Sequence, residues 1–155
     1  MYNATLLLHS WLRWVVLILA VATVLRSARG MGGKAPWSSG DEGMARAFIG
    51  ALDLQFLIGL LLYGVLSPFV RLAMSDVAGA MRDGDLRFWL VEHLAGMVAV
   101  LVLAHVGRVK QRRAPDDGSK HRTATIFFGL ALIVMLLSIP WPGMASARPL
   151  FRFGV

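Results

Sequence analysis

Not one of the 155 residues is cysteine. That absence excludes disulfides, zinc-thiolate sites, Cys-ligated iron-sulfur clusters and covalently attached c-type haem. Any metal would have to be held by His, Met or carboxylates. Charge is also scarce: 16% of the residues are charged against 57% hydrophobic, and mean hydropathy is +0.64. A chain of this length with that balance is too apolar for an ordinary soluble domain. Acids are the scarcest charged group, nine against sixteen Lys and Arg, for a net charge of +7. The basic excess does not point to nucleic acid, because it lies mostly in short connectors without interleaved stacking aromatics. Gly-rich phosphate loops, His-Glu-x-x-His, Gly-x-Ser-x-Gly and EF-hand patterns are missing too.

What is present is four apolar stretches, at about 4–25, 47–66, 88–106 and 123–140, separated by short Gly-, Pro- or charge-rich connectors. Each approaches the roughly 20 residues needed to cross a bilayer. The pattern predicts an all-α fold: an integral membrane four-helix up-down bundle, residues 1–155 forming a single transmembrane domain. The first stretch lacks a basic leading segment and runs past signal-peptide length, so it is expected to stay as a helix.

Orientation follows from the basic residues. One side holds Arg26, Arg29, Lys34, Arg46, Arg108, Lys110, Arg112, Arg113, Lys120 and Arg122; the other holds Arg71, Arg82, Arg87, Arg148 and Arg152. The positive-inside rule then places both termini on the outer, periplasm-like side. Trp11, Trp14, Trp89 and Trp141 fall near the proposed outer ends, where interfacial aromatics belong. Between the second and third stretches, Ser67-Pro68 reads as an N-cap and first helical position. Val70, Met74, Val77 and Met81 then recur at helical spacing until Asp83-Gly84-Asp85. A short amphipathic interfacial helix is expected there, contacting lipid or offering a docking face.

Ionisable groups inside a membrane are costly, which makes each a candidate for function. They are His9, Arg13, Asp53, Glu92, His93 and His105, with His121 at a boundary. His9 and His93 each lie five residues into stretches that start on the same side, so both sit about 7 to 8 Å below that surface. Two facing helices with His at equal depth could supply the axial ligands of a haem iron. Gly96, at i+3 from His93, would clear room for the macrocycle, and Arg13 would meet a propionate or Glu92. Two histidines simply bonded to neighbouring helices would explain the same pattern. His105 and His121 form a weaker pair: His121 stands in Lys120-His121-Arg122, where a solvated interfacial histidine is expected, and His105 suits an interhelical hydrogen bond. Asp53 reads as a proton-relay group or as a carboxylate bonded to Arg46, His105 or the backbone. Gln55, Gly59 and Tyr63 share one helical stripe, expected to serve ordinary helix packing.

The chain resembles a family of small four-helix bacterial integral membrane proteins described as cytochrome b-like or uncharacterised. The resemblance rests on His9-Ser10-Trp11-Leu12-Arg13-Trp14, on Gln55 with Gly59 and Tyr63, on Phe88-Trp89 with Glu92-His93, on Lys120-His121, and on Ile139-Pro140-Trp141-Pro142. It covers nearly the whole chain. It implies the four-helix fold and a polar set of His9, Arg13, Glu92, His93 and His121, leaving His105 outside the pattern.

Three functions are therefore expected to compete. The first is a membrane-bound b-type cytochrome-like protein that holds one haem b near the outer surface and passes electrons to or from a quinone or a membrane protein partner. The second is a non-enzymatic accessory subunit of a larger complex or homo-oligomer. The third is a proton- or ion-conducting bundle using Asp53, Glu92 and the histidines. Electron transfer or accessory roles fit better than a stand-alone enzyme.

Overall fold

The computed structural model describes residues 1–33, 35–144 and 146–153, and all its regular elements are helical. In chain order they are α1 (Tyr2–Gly30), α2 (Ser39–Leu66), α3 (Pro68–Ser75), α4 (Val77–Ala80), α5 (Gly84–Arg112) and α6 (Asp117–Ser138). Four of these, α1, α2, α5 and α6, are long and apolar enough to cross a membrane. All six prolines fall outside those four, where a missing N–H and a fixed φ do no harm. Lys34, one of the basic residues counted for orientation, lies outside the described residues.

Three of the long helices, α2, α5 and α6, begin before their apolar stretches because polar caps, not hydropathy, set their starts. Ser38 and Asp41 form a reciprocal capping box that starts α2 well before residue 47. Asp83 accepts from the N–H groups of Asp85 and Leu86 and starts α5. Asp116 accepts from Ser119 and starts α6; those same Ser119 bonds hold the Asp116 carboxyl below the usual carboxylate range. At its other end α6 stops at Ser138, two residues before the predicted limit. Ile139 is extended (φ −81°, ψ 134°), as a residue preceding proline prefers.

Helix α6 packs against both α1 and α5, and α1 also packs against α2. Val16, Leu17 and Ala20 of α1 meet Ala45, Phe48 and Leu52 of α2, Val100 and Ala104 of α5, and Ala124, Phe128 and Ala131 of α6 in one core. Phe48 and Phe128 meet edge to face, their ring centroids 5.6 Å apart. Where α1 ends and α2 begins, Arg26 binds Asp41 at 3.0 Å and Arg108 binds Glu42, so two arginines counted for orientation also tie elements together.

Two of the long helices depart from regular α geometry on the side of the molecule where the candidate site lies. Leu62–Leu66 at the end of α2 and Phe88–Glu92 near the start of α5 are π-helical turns. Tyr63 in the first donates its hydroxyl to the carbonyl of Leu90 in the second at 3.0 Å. Such turns recur at functional sites, since the extra residue re-aims side chains.

The connector between α2 and α5 corrects one expectation. Ser67 does cap α3, accepting from Val70 N–H, with Pro68 in the first turn. The single helix carrying Val70, Met74, Val77 and Met81 on one face does not form: the backbone breaks at Asp76 (φ −144°, ψ 85°), whose carboxylate caps Gly79. The buried residues are Val70, Ala73 and Ala80, against Leu90, Tyr63 and Leu86, while Met74, Val77 and Met81 are exposed. Asp76 can satisfy a backbone N–H itself, so it competes with the helix.

Candidate functional site

At the end of the molecule where Tyr2 and Arg152 lie, α1, α2, α5 and α6 enclose a cavity of about 140 Å³ lined by His9, Arg13, Gln55, Tyr63, Trp89 and His93 among others. His9 and His93 both line this space.

His93 comes directly after the π-turn Phe88–Glu92 and is flanked by the rings of Phe88 and Trp89, 5.8 and 5.7 Å from its own. Its Nδ1 lies 2.8 Å from the backbone oxygen of Ser138. That oxygen belongs to the last turn of α6, where carbonyls have no partner within the helix, so an imidazole N–H is what it calls for. A carbonyl only accepts, which fixes the proton on Nδ1 and leaves the neutral ring's lone pair on Nε2. Nε2 itself makes no hydrogen bond among the described residues.

His9 is held from α2. One side-chain amide, Nε2 of Gln55, donates to the His9 carbonyl at 3.0 Å and lies 3.3 Å from its ring Nε2. Gly59, one turn on, lets the ring lie flat against the helix: a Cβ there would stand 3.2 Å from His9 Cε1. The stripe of Gln55, Gly59 and Tyr63 therefore positions a histidine and links the two π-turns, more than the helix packing expected of it.

Three buried polar atoms at this cavity lack a partner: His9 Nδ1, Arg13 Nε and Gln55 Oε1. Native interiors rarely leave such atoms unpaired, so each calls for a partner beyond those described. Arg13 reaches elsewhere with Nη2, one of its two terminal nitrogens, which donates to Leu150 O at 2.7 Å. Trp11 and Trp14 bind the same tail through Arg152 O and Leu150 O, and Trp14 stacks on Phe151 at 5.3 Å. The tail lies across α1 as a strap and contributes Arg148 and Arg152 to the cavity lining. Arg148 also stacks over Phe69 and Trp89, at 4.5 and 4.7 Å.

Several expectations change. Gly96 clears no room in the cavity: it faces α6, where an added Cβ would collide with the Ser138 side chain, and its role is close helix approach. Glu92 does not meet Arg13; it is exposed and bonds Arg87 at 2.6 Å. His121 is not solvated but 2% exposed, its ring packed against Gly30 and 4.9 Å from that of Trp37. His105 does not pair with it, since His105 Nε2 lies 2.7 Å from Asp53 Oδ1 on the outside of the helices. Asp53 and His105 are not among the residues lining the cavity. Ser138, Arg148 and Arg152 join the site without standing out in the sequence; the one available signal is Ile139-Pro140, which ends a helix and exposes its carbonyls.

No family model matches the chain, and no curated protein or solved structure matches it either.

Proposed function

We propose that this chain is a b-type cytochrome-like electron-transfer protein of the bacterial inner membrane. It would cross the membrane four times in up-down order, both termini periplasmic, and hold one haem b near the outer surface between His9 and His93. The observation that carries this is His93: its Nδ1 is tied to a backbone carbonyl, the kind of bond that orients a ligating imidazole, and its Nε2 is left free. His9 lines the same cavity from another helix, and the unpaired atoms around it ask for a partner. The fit is looser at His9, whose Nε2 lies beside the Gln55 amide, so Gln55 must release it before the ring can ligate through that atom.

When bound, haem b supplies one-electron chemistry. The chain's own residues do the rest: Ser138 orients His93, Gln55 and Gly59 orient His9, and Arg148, Pro149 and Arg152 of the tail form part of the wall. Arg148 and Arg152 place positive charge where carboxylates would meet the outer surface.

A quinone head is the alternative occupant, favoured by size. About 140 Å³ is close to the engineered cavity of about 150 Å³ that holds benzene, so it suits one ring, and a macrocycle needs the lining to open. His9 and Arg13 would donate to quinone carbonyls from the atoms now unpaired.

Purification from haem-replete cells decides between them. One haem per chain, with sharp reduced α and Soret bands, is the expected result. A colourless protein carrying extractable quinone would replace the cytochrome with the alternative, and a protein with neither would sink both.

A further inference from the structure

On the side of α2 and α5 turned away from the core, Asp53 and His105 form a pair whose side chains are 42% and 48% exposed. Asp53 lies six residues beyond Ala47, so about 9 Å inside the apolar stretch, and the exposed residues at nearby positions of α2 and α5 include Leu54, Leu57, Val98 and Val102. A carboxylate and an imidazole facing hydrocarbon are costly, and intramembrane ionisable groups normally turn toward protein or water. The pair is also incomplete, since Asp53 Oδ2 and His105 Nδ1 make no further hydrogen bond among the described residues.

We propose that this face binds a second copy of the chain, in a two-fold dimer where Asp53 and His105 of one protomer bond His105 and Asp53 of its partner. With one proton held between Nε2 and Oδ1 and the pair carrying no net charge, Asp53 Oδ2 is an acceptor and His105 Nδ1–H a donor, complementary to each other. A two-fold axis beside the pair brings each next to its complement, and a neutral pair needs no partner of opposite net charge. The surrounding surface suits close approach. Gly43 and Gly50, seven residues apart, lie on one face of α2, each with nothing within 4 Å of an added Cβ. Small residues at such spacing let helix backbones meet, and interhelical polar bonds then hold them. The dimer does not depend on what fills the cavity.

The absence of native cysteine allows a clean test. Gly50→Cys and, as a control on α6, Gly129→Cys are each placed in the full chain, reconstituted at high lipid dilution and oxidised. Both positions have open space beside the added Cβ, so both variants should keep wild-type helicity by circular dichroism. The expected result is a disulfide-linked dimer from Gly50→Cys and none from Gly129→Cys. Adding Asp53→Leu and His105→Leu together should weaken dimerisation roughly tenfold, the loss expected for two interhelical bonds. Equal crosslinking at the two positions, no crosslinking at Gly50→Cys, or full crosslinking in the presence of the leucine pair would overturn the proposal.

Discussion

Replacing His93 by Ala should abolish the reduced α and Soret bands of the purified protein, the largest effect expected of any single substitution here. Two losses coincide at this residue. The ring carries the Nε2 that would ligate the proposed haem, and its Nδ1–H satisfies the Ser138 carbonyl at the end of α6, which becomes an unpaired buried acceptor worth about 1–3 kcal/mol once the ring is gone. The two are separable: millimolar imidazole added to His93→Ala should restore the bands if the cavity is intact, and should fail if α6 has come away. His9→Ala should behave differently, keeping a weakly held haem with a high-spin spectrum because His93 and its Ser138 anchor remain. Bands that survive His93→Ala unchanged would remove it as a ligand.

Gly96→Ala should be damaging although it is conservative. Alanine gains about 1 kcal/mol over glycine in a helix interior. At Gly96, however, the new Cβ collides with the Cβ and Oγ of Ser138, and the Cβ belongs to the fixed part of a helix and cannot turn aside. Overpacking of this kind costs about 1–3 kcal/mol, so the sign is destabilising. Separating α5 from α6 also pulls Ser138 from His93, so weaker haem retention should accompany the lower Tm in detergent. Gly129→Ala, with nothing within 4 Å of its Cβ, is the control and should be neutral or slightly stabilising. Equal Tm values for the two variants would mean that α5 and α6 are not in close contact at Gly96.

What could be read from the sequence divides along physical lines. The four long helices were legible because about 20 apolar residues in a row have one common structural outcome in lipid. Their ends were not, because Ser38, Asp83 and Asp116 extend helices through polar segments that hydropathy ignores. His9 and His93 stood out as ionisable groups in apolar runs, and their depth followed from rise per residue alone. Their partners did not stand out. Whether Ser138 or Gln55 meets an imidazole depends on how each helix is rotated, and the π-turn before His93 alters that rotation without leaving a mark in the periodicity. Gly96 shows the same gap: i+3 spacing puts it on the face of His93, and both meet Ser138, but nothing in the spacing says that α6 rather than open space covers that face. His121 misled because Lys120 and Arg122 suggest solvent, whereas Gly30 opens a buried seat for its ring.

The proposed function stands or falls on His9 and His93 together ligating one haem. Near-infrared magnetic circular dichroism of the oxidised protein tests this most directly, because the charge-transfer band of low-spin ferric haem distinguishes axial ligand pairs. The expected result is a bis-imidazole band in the wild type that is lost in both His9→Ala and His93→Ala. Met97 and Met135 also line the cavity, so a His-Met band, or a bis-imidazole band that persists without His9, would contradict the assignment.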